Sequence, residues 1–222
     1  MPDNLELVQR SVQIPPSGAR ADLTVPVNAC GAIIFAHGSG SSRLSTRNRF
    51  VAGVLQRAHL ATLLLDLLTA EEEQLDLQTR QLRFDINLLA TRLVQATRWL
   101  AGDPQIGSLR VGYFGASTGA AAALVAAAQL PHAICAVVSR GGRPDLAGHA
   151  LSAVRAPTLL IVGGDDRIVL ELNEKALGVL QCEKKLEIVP GATHLFEEPG
   201  ALEKVTTLAS GWFEQHLGQP CA

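Results

Sequence analysis

Leu109-Arg110-Val111-Gly112-Tyr113-Phe114 runs directly into Gly115-Ala116-Ser117-Thr118-Gly119, and the alanine-rich stretch Ala120 to Ala128 follows. An apolar strand, a sharp turn and a helix form the context in which G-x-S-x-G is a nucleophile elbow. A serine held on so tight a turn adopts a strained backbone, and small residues two positions either side must let strand and helix approach. Gly115 and Gly119 occupy those positions. The helix beginning just after the serine aims its unpaired amides and positive dipole end at charge developing on a substrate oxygen, the amide of Thr118 first among them. Taken alone, the pentapeptide also fits a flexible Gly/Ser turn, so its partners decide between the two readings.

In this chain order a triad needs an acid and then a histidine, each on a loop after a strand. Thr158-Leu159-Leu160-Ile161-Val162 reads as a buried parallel strand that runs into Gly163-Gly164-Asp165-Asp166, where two adjacent carboxylates compete for the acid role. Leu186-Glu187-Ile188-Val189 forms another short strand, and Pro190-Gly191-Ala192-Thr193-His194 follows as its loop. His194 is the expected base, taking the Ser117 proton during attack and returning it to the leaving group. His59, His132, His149 and His216 lie at helix ends or in polar loops without a strand end before them, and read as structural or solvated.

Working outward, Leu5 to Ile14 and Ala21 to Val25 read as an opening antiparallel pair turned by Pro15-Pro16-Ser17-Gly18. Parallel strands are expected at Ala32 to Ala36, Ala61 to Leu65, Leu109 to Phe114, Ile134 to Ser139, Thr158 to Val162 and Lys185 to Val189. Helical periodicity separates them at Arg47 to His59, Asp85 to Leu100, Thr118 to Leu130, Val169 to Leu180 and Leu202 to Leu217. The alternation predicts an α/β fold, a mostly parallel central sheet with helices on both faces and functional residues at the carboxyl ends of the strands.

Composition narrows the function. A chain of 222 residues, 47% hydrophobic, suits one α/β domain over residues 1–222, and no linker supports a second. Net charge is −2 with the charges scattered, so no basic stripe offers a nucleic-acid surface. Cys30, Cys135, Cys182 and Cys221 lack metal-ligand or disulfide-scaffold spacing and read as reduced thiols, which suits the cytoplasm. Met1 to Glu6 shows no signal-peptide pattern, and no apolar run reaches the roughly twenty residues that cross a bilayer, so no membrane partner is expected. Neither G-x-G-x-x-G after the first strand nor a P-loop is present, which weakens a nucleotide-binding reading.

Ala36-His37-Gly38-Ser39-Gly40-Ser41-Ser42, the elbow, Gly163-Gly164-Asp165-Asp166 and Gly191-Ala192-Thr193-His194-Leu195-Phe196-Glu197 together resemble the dienelactone hydrolase branch of the α/β-hydrolase superfamily. The chain is similar to small hydrolases sometimes found fused to phosphoribosyltransferase domains, although no such domain is read here. The resemblance implies a minimal α/β-hydrolase fold without a cap domain and a triad of Ser117, Asp166 and His194. It chooses Asp166 over Asp165 through the G-x-x-D-x-x-V turn, leaving Asp165 as a turn residue or cap of a helix starting near Val169. It places the second oxyanion amide at Ser39, beside that of Thr118. Dienelactone hydrolases proper use a cysteine where Ser117 stands, so dienelactone itself is not implied as substrate.

The expected function is hydrolysis of a small-molecule carboxylic ester through an acyl-enzyme, with neither metal nor organic cofactor. A thioesterase, acyltransferase or peptidase could use the same triad, and the fold could serve as a non-catalytic binding scaffold. A homodimer stays open, since sequence does not locate an exposed apolar patch. With no cap, the site should be open. The charge run in 66–84 reads as a solvated face or a rim over the pocket. His37 is a candidate to shape the loop or touch substrate, and Arg143 or Arg140 to pair with a substrate carboxylate against a structural salt bridge.

Overall fold

A computed structural model of the chain describes residues 6–218. Its eight strands are β1 (Leu7–Ile14), β2 (Ala19–Pro26), β3 (Gly31–Ala36), β4 (Leu60–Leu65), β5 (Val111–Ala116), β6 (Ile134–Arg140), β7 (Thr158–Gly163) and β8 (Lys184–Val189). They form one sheet in the order β1-β2-β4-β3-β5-β6-β7-β8. The β1–β2 and β2–β4 pairs are antiparallel, and every later pair is parallel. All eight expected strands are present with ends shifted by a few residues; Leu5, Cys221 and most of the N-terminal segment lie outside the described residues.

Every residue of β3, β4, β5 and β7 is buried, which is why they read as continuous apolar runs rather than alternating ones. Successive side chains still go to opposite faces. Ile34 and Ala36 pack with α3 (Ile86–Ala101) and α4 (Thr118–Gln129), whereas Ile33 and Phe35 pack with α1 (Thr46–Arg57) and α6 (Ala201–Leu217). Residues Thr118 to Ala127 of α4 are all buried, and their small side chains bring that helix close to the sheet.

Two of the helices beside the site differ from the sequence reading. The charge run folds into α2 (Ala70–Thr79), opened by a capping box in which Thr69 Oγ1 accepts from the Glu72 amide and the Glu72 carboxylate accepts from the Thr69 amide. No apolar stripe follows the capping box, so helical periodicity does not mark this segment. Helix α5 (Arg167–Val179) starts two residues earlier than expected, so Asp166, not Asp165, takes the N-cap position. Strands β3, β5, β7 and β8 all end on the same edge of the parallel sheet, and the loops after them carry Ser39, Ser117, Asp166 and His194.

Candidate active site

Ser117 links β5 to α4 at φ 50° and ψ −120°, a left-handed region that an L-residue keeps only under constraint. The constraint is visible on both sides. Its amide donates to Arg140 O at 3.3 Å, and its carbonyl accepts from the amides of Ala120 and Arg143, each at 3.1 Å. A methyl on Gly115 would strike the Ala120 backbone, and one on Gly119 would enter the carbonyl oxygens of Ala36 and His37. Gly38 lies so close that a Cβ there would stand 3.1 Å from Ser117 Cβ. The loop bearing Ser39 is thereby pressed against the elbow. Thr118, first residue of α4, has no carbonyl one turn back to bond its amide.

His194 Nδ1 stands 2.6 Å from Asp166 Oδ2, the contact that fixes an imidazole tautomer and leaves Nε2 free to face a substrate. The Asp166 carboxylate makes no cap bond, although it occupies the N-cap of α5. Asp165 is exposed; among the described residues only its amide is engaged, donating to Ala192 O at 3.0 Å, so of the two roles expected for it, turn residue and helix cap, it takes the first. Gly163 permits this arrangement, because a Cβ there would enter the Ala192 carbonyl of the histidine loop. Ser117 and His194 line one cleft of about 230 Å³ with Gly38, Ser39, Arg47 and Arg140. The Ser117 hydroxyl itself makes no hydrogen bond among the described residues, so the structure brings acid to base and the base to the serine's cleft without closing the serine–histidine contact. Such contacts commonly tighten only with substrate bound.

A second cavity of about 250 Å³ adjoins the first through Gly38, Ser39 and Ser41 and is walled by Leu67, Leu89, Glu73, Leu77 and Thr118. Helix α2 is therefore both of the things its sequence suggested, outwardly solvated and a rim over the pocket.

Both ring nitrogens of His37 are spent on the loops: Nδ1 donates to Gly38 O at 2.9 Å and Nε2 accepts from the Leu67 amide at 3.0 Å. It shapes the loop, and its alternative role as a substrate-binding residue is left with ring carbons alone. Burial holds this imidazole below its ordinary pKa, with Gly38 O, Asp66 and Glu73 opposing only in part. The unfolded chain thus takes up a proton more readily than the folded one. The stability gained is fully present above the ordinary value of 6.5 and is lost as pH falls below it. Melting temperature is expected to decline between about pH 7 and pH 5, at up to about 1.4 kcal/mol per pH unit for one proton. His37→Gln should flatten this decline without abolishing it, since burial also lowers His216; an unaltered slope would contradict the assignment.

Arg143 does not reach the cleft. Its Nε and one terminal nitrogen bind both oxygens of Asp145 at 2.8 and 2.7 Å, the structural salt bridge rather than a substrate contact. Arg140 does line the cleft, as does Arg47, which the sequence did not flag. Also missed was Asn173, fully buried, whose Nδ2 donates to Gly142 O and Val169 O and ties the loop after β6 to α5. Nothing in the sequence around it distinguishes it from a surface asparagine of an amphipathic helix.

Of the other histidines, His59 binds Val27 O and His216 packs edge-on to Trp212, while His132 and His149 are exposed. Cys30, Cys135 and Cys182 are free thiols. Among the described residues no three His, Cys, Asp or Glu side chains converge as a metal site, and no helix is long and apolar enough to cross a membrane.

The sequence pattern described as the dienelactone hydrolase family matches residues 56–214. A crystal structure of dienelactone hydrolase from Anabaena variabilis is 60% identical, superimposes with a TM-score of 0.92, and is matched over 96% of this chain and 99% of that one. Est1E from Butyrivibrio proteoclasticus shares the fold at 16% identity and a TM-score of 0.76, over 93% of this chain and 98% of that one. A Mycobacterium tuberculosis protein named putative phosphoribosyl transferase is 62% identical over 198 residues, which is 89% of this chain but only 44% of that protein. The chain thus spans less than half the length of this curated relative.

Proposed function

Because the chain belongs to the dienelactone hydrolase family, with the α/β-hydrolase fold of that family, we propose that it is a serine hydrolase cleaving small carboxylic esters through an acyl-enzyme on Ser117. The observation that carries this reading is the Asp166–His194 pair opening onto the same cleft as a backbone-strained serine.

In the proposed reaction, His194 Nε2 removes the Ser117 hydroxyl proton as Oγ attacks the ester carbonyl carbon. Charge develops on the carbonyl oxygen, where the amides of Thr118 and Ser39 would receive it, assisted by the positive end of α4. The tetrahedral intermediate collapses to the acyl-serine, and the alcohol leaves with the proton from His194. Water then attacks the acyl-serine, giving up a proton to His194, which passes it to Ser117 Oγ as the bond to the acyl group breaks and the acid is released. Throughout, Asp166 holds the imidazole in one tautomer and stabilises its protonated form. The name of the Mycobacterium relative describes a much longer chain, and hydrolysis is the activity proposed for the residues shared with it.

Turnover of 4-nitrophenyl esters of increasing chain length tests the reading. Asp166→Asn should lower kcat by about 10³- to 10⁴-fold through loss of the correct tautomer. Asp165→Asn, whose exposed side chain holds nothing, should stay within a few-fold of wild type; equal losses in the two variants would remove Asp166 from the acid role.

A further inference from the structure

Arg140, the last residue of β6, is 8% exposed, and its Nε and one of its terminal nitrogens are buried without a hydrogen-bond partner. Among the described residues it makes no ion pair; its one charge contact there is with the Phe196 ring, whose centroid lies 6.0 Å from the guanidinium carbon. Arg92, equally buried, shows the usual arrangement, with Glu72 bound to its guanidinium. Taking a guanidinium out of water without a counter-charge is costly, and proteins rarely keep one so placed.

Its position is as informative as its isolation. Ala116 pairs with Arg140 across β5 and β6, and Arg140 O receives the Ser117 amide, so the side chain arises one strand from the elbow. Phe196 belongs to the histidine loop, two residues beyond His194. The guanidinium therefore lies between the serine and histidine loops and lines their common cleft. Arg47, which lines the same cleft, is neutralised by Glu197 at 2.8 Å, yet its charge still adds to burial in pushing the Arg140 pKa down to about 10. Two guanidinium groups thus line the cleft, one of them paired with Glu197, and among the described residues no carboxylate reaches Arg140.

From this we infer that Arg140 is a specificity-determining residue that binds an anionic group of the substrate, a carboxylate or phosphoryl group carried close to the scissile ester. The inference rests on the hydrolase reading for what the anion is attached to. A guanidinium fork matches the paired oxygens of either group, and in a cleft this sheltered the pairing is stronger than at an open surface.

Three esters of matched length test it: neutral 4-nitrophenyl butyrate, mono-4-nitrophenyl succinate, and 4-nitrophenyl 3-phosphonopropanoate. Wild type should prefer one of the anionic esters in kcat/KM, and which one identifies the anion. Arg140→Met should reduce the anionic-to-neutral ratio by about 10- to 100-fold, as expected for a charged hydrogen bond, with Arg140→Lys intermediate. Equal losses on all three esters, or an unchanged ratio in a folded variant, would overturn the inference. The melting temperature of Arg140→Met should equal or exceed that of wild type, because a desolvated charge has been removed.

A second arm does without turnover. In Ser117→Ala protein, glutarate or methylphosphonate should raise the melting temperature, and adding Arg140→Met should abolish the rise. Absence of ester turnover in wild type together with this Arg140-dependent rise would reject the hydrolase reading and sustain the anion site; absence of the rise in Arg140-containing protein would overturn the site.

Discussion

Ser117→Ala should lower kcat for any ester the protein turns over by about 10⁴- to 10⁶-fold, the loss seen when a triad nucleophile is removed. The fold should be untouched, because the turn is held by the backbone bonds to Arg140, Ala120 and Arg143 rather than by the hydroxyl. Ser117→Gly separates catalysis from strain. It should be as inactive, yet more stable than wild type by about 1–2 kcal/mol, since glycine adopts φ 50°, ψ −120° without the cost an L-residue incurs. That corresponds to a rise in melting temperature of about 2–8 °C for a chain of this size. Melting curves and steady-state kinetics on the two variants check both parts; a Ser117→Gly variant no more stable than Ser117→Ala would mean that the elbow is not strained.

The second large effect is structural. Gly119→Ala places a methyl in the carbonyl oxygens of Ala36 and His37, backbone atoms of β3 and its loop that cannot rotate away. Helix propensity alone would favour alanine by about 1 kcal/mol, so propensity and packing predict opposite signs. Packing should win: α4 must separate from β3, costing more than about 4 kcal/mol, enough to prevent soluble expression of a typical domain. Gly211→Ala is the control. Gly211 lies in α6 with nothing within 4 Å of its would-be Cβ, and the same substitution there should stabilise by up to about 1 kcal/mol. Denaturant unfolding of the two variants, or the soluble yield if Gly119→Ala cannot be purified, reads the difference.

Much of this was legible in the chain because the central strands are buried on both faces and so appear as uninterrupted apolar runs ending in small residues. Where the runs stop, the chain turns, and the residues just beyond are those of the cleft. Helix α2 was not legible as a helix: its one buried residue, Asp76, is a carboxylate holding Arg83 rather than an apolar anchor, so no stripe marks it. The arginines show the limit most clearly. Arg140 and Arg143 stand three residues apart with equal claims in the sequence, but Asp145 lies two residues beyond Arg143 and takes it, while Arg140 is carried inward at the strand end. Arg47 meets Glu197 across 150 residues of chain, a pairing that local pattern cannot reveal. His37 was separable only in part, since its position after β3 indicated a loop role but not the Leu67 amide that occupies its second nitrogen.

The central claim is that Ser117 is an activated nucleophile. Its most direct test is labelling of the folded protein with a fluorophosphonate probe followed by mass mapping, with Ser117→Ala and His194→Ala alongside. A single adduct on Ser117, absent from Ser117→Ala and formed far more slowly in His194→Ala, is the result predicted. Folded wild-type protein that takes no adduct, or takes it at another residue, would contradict the account.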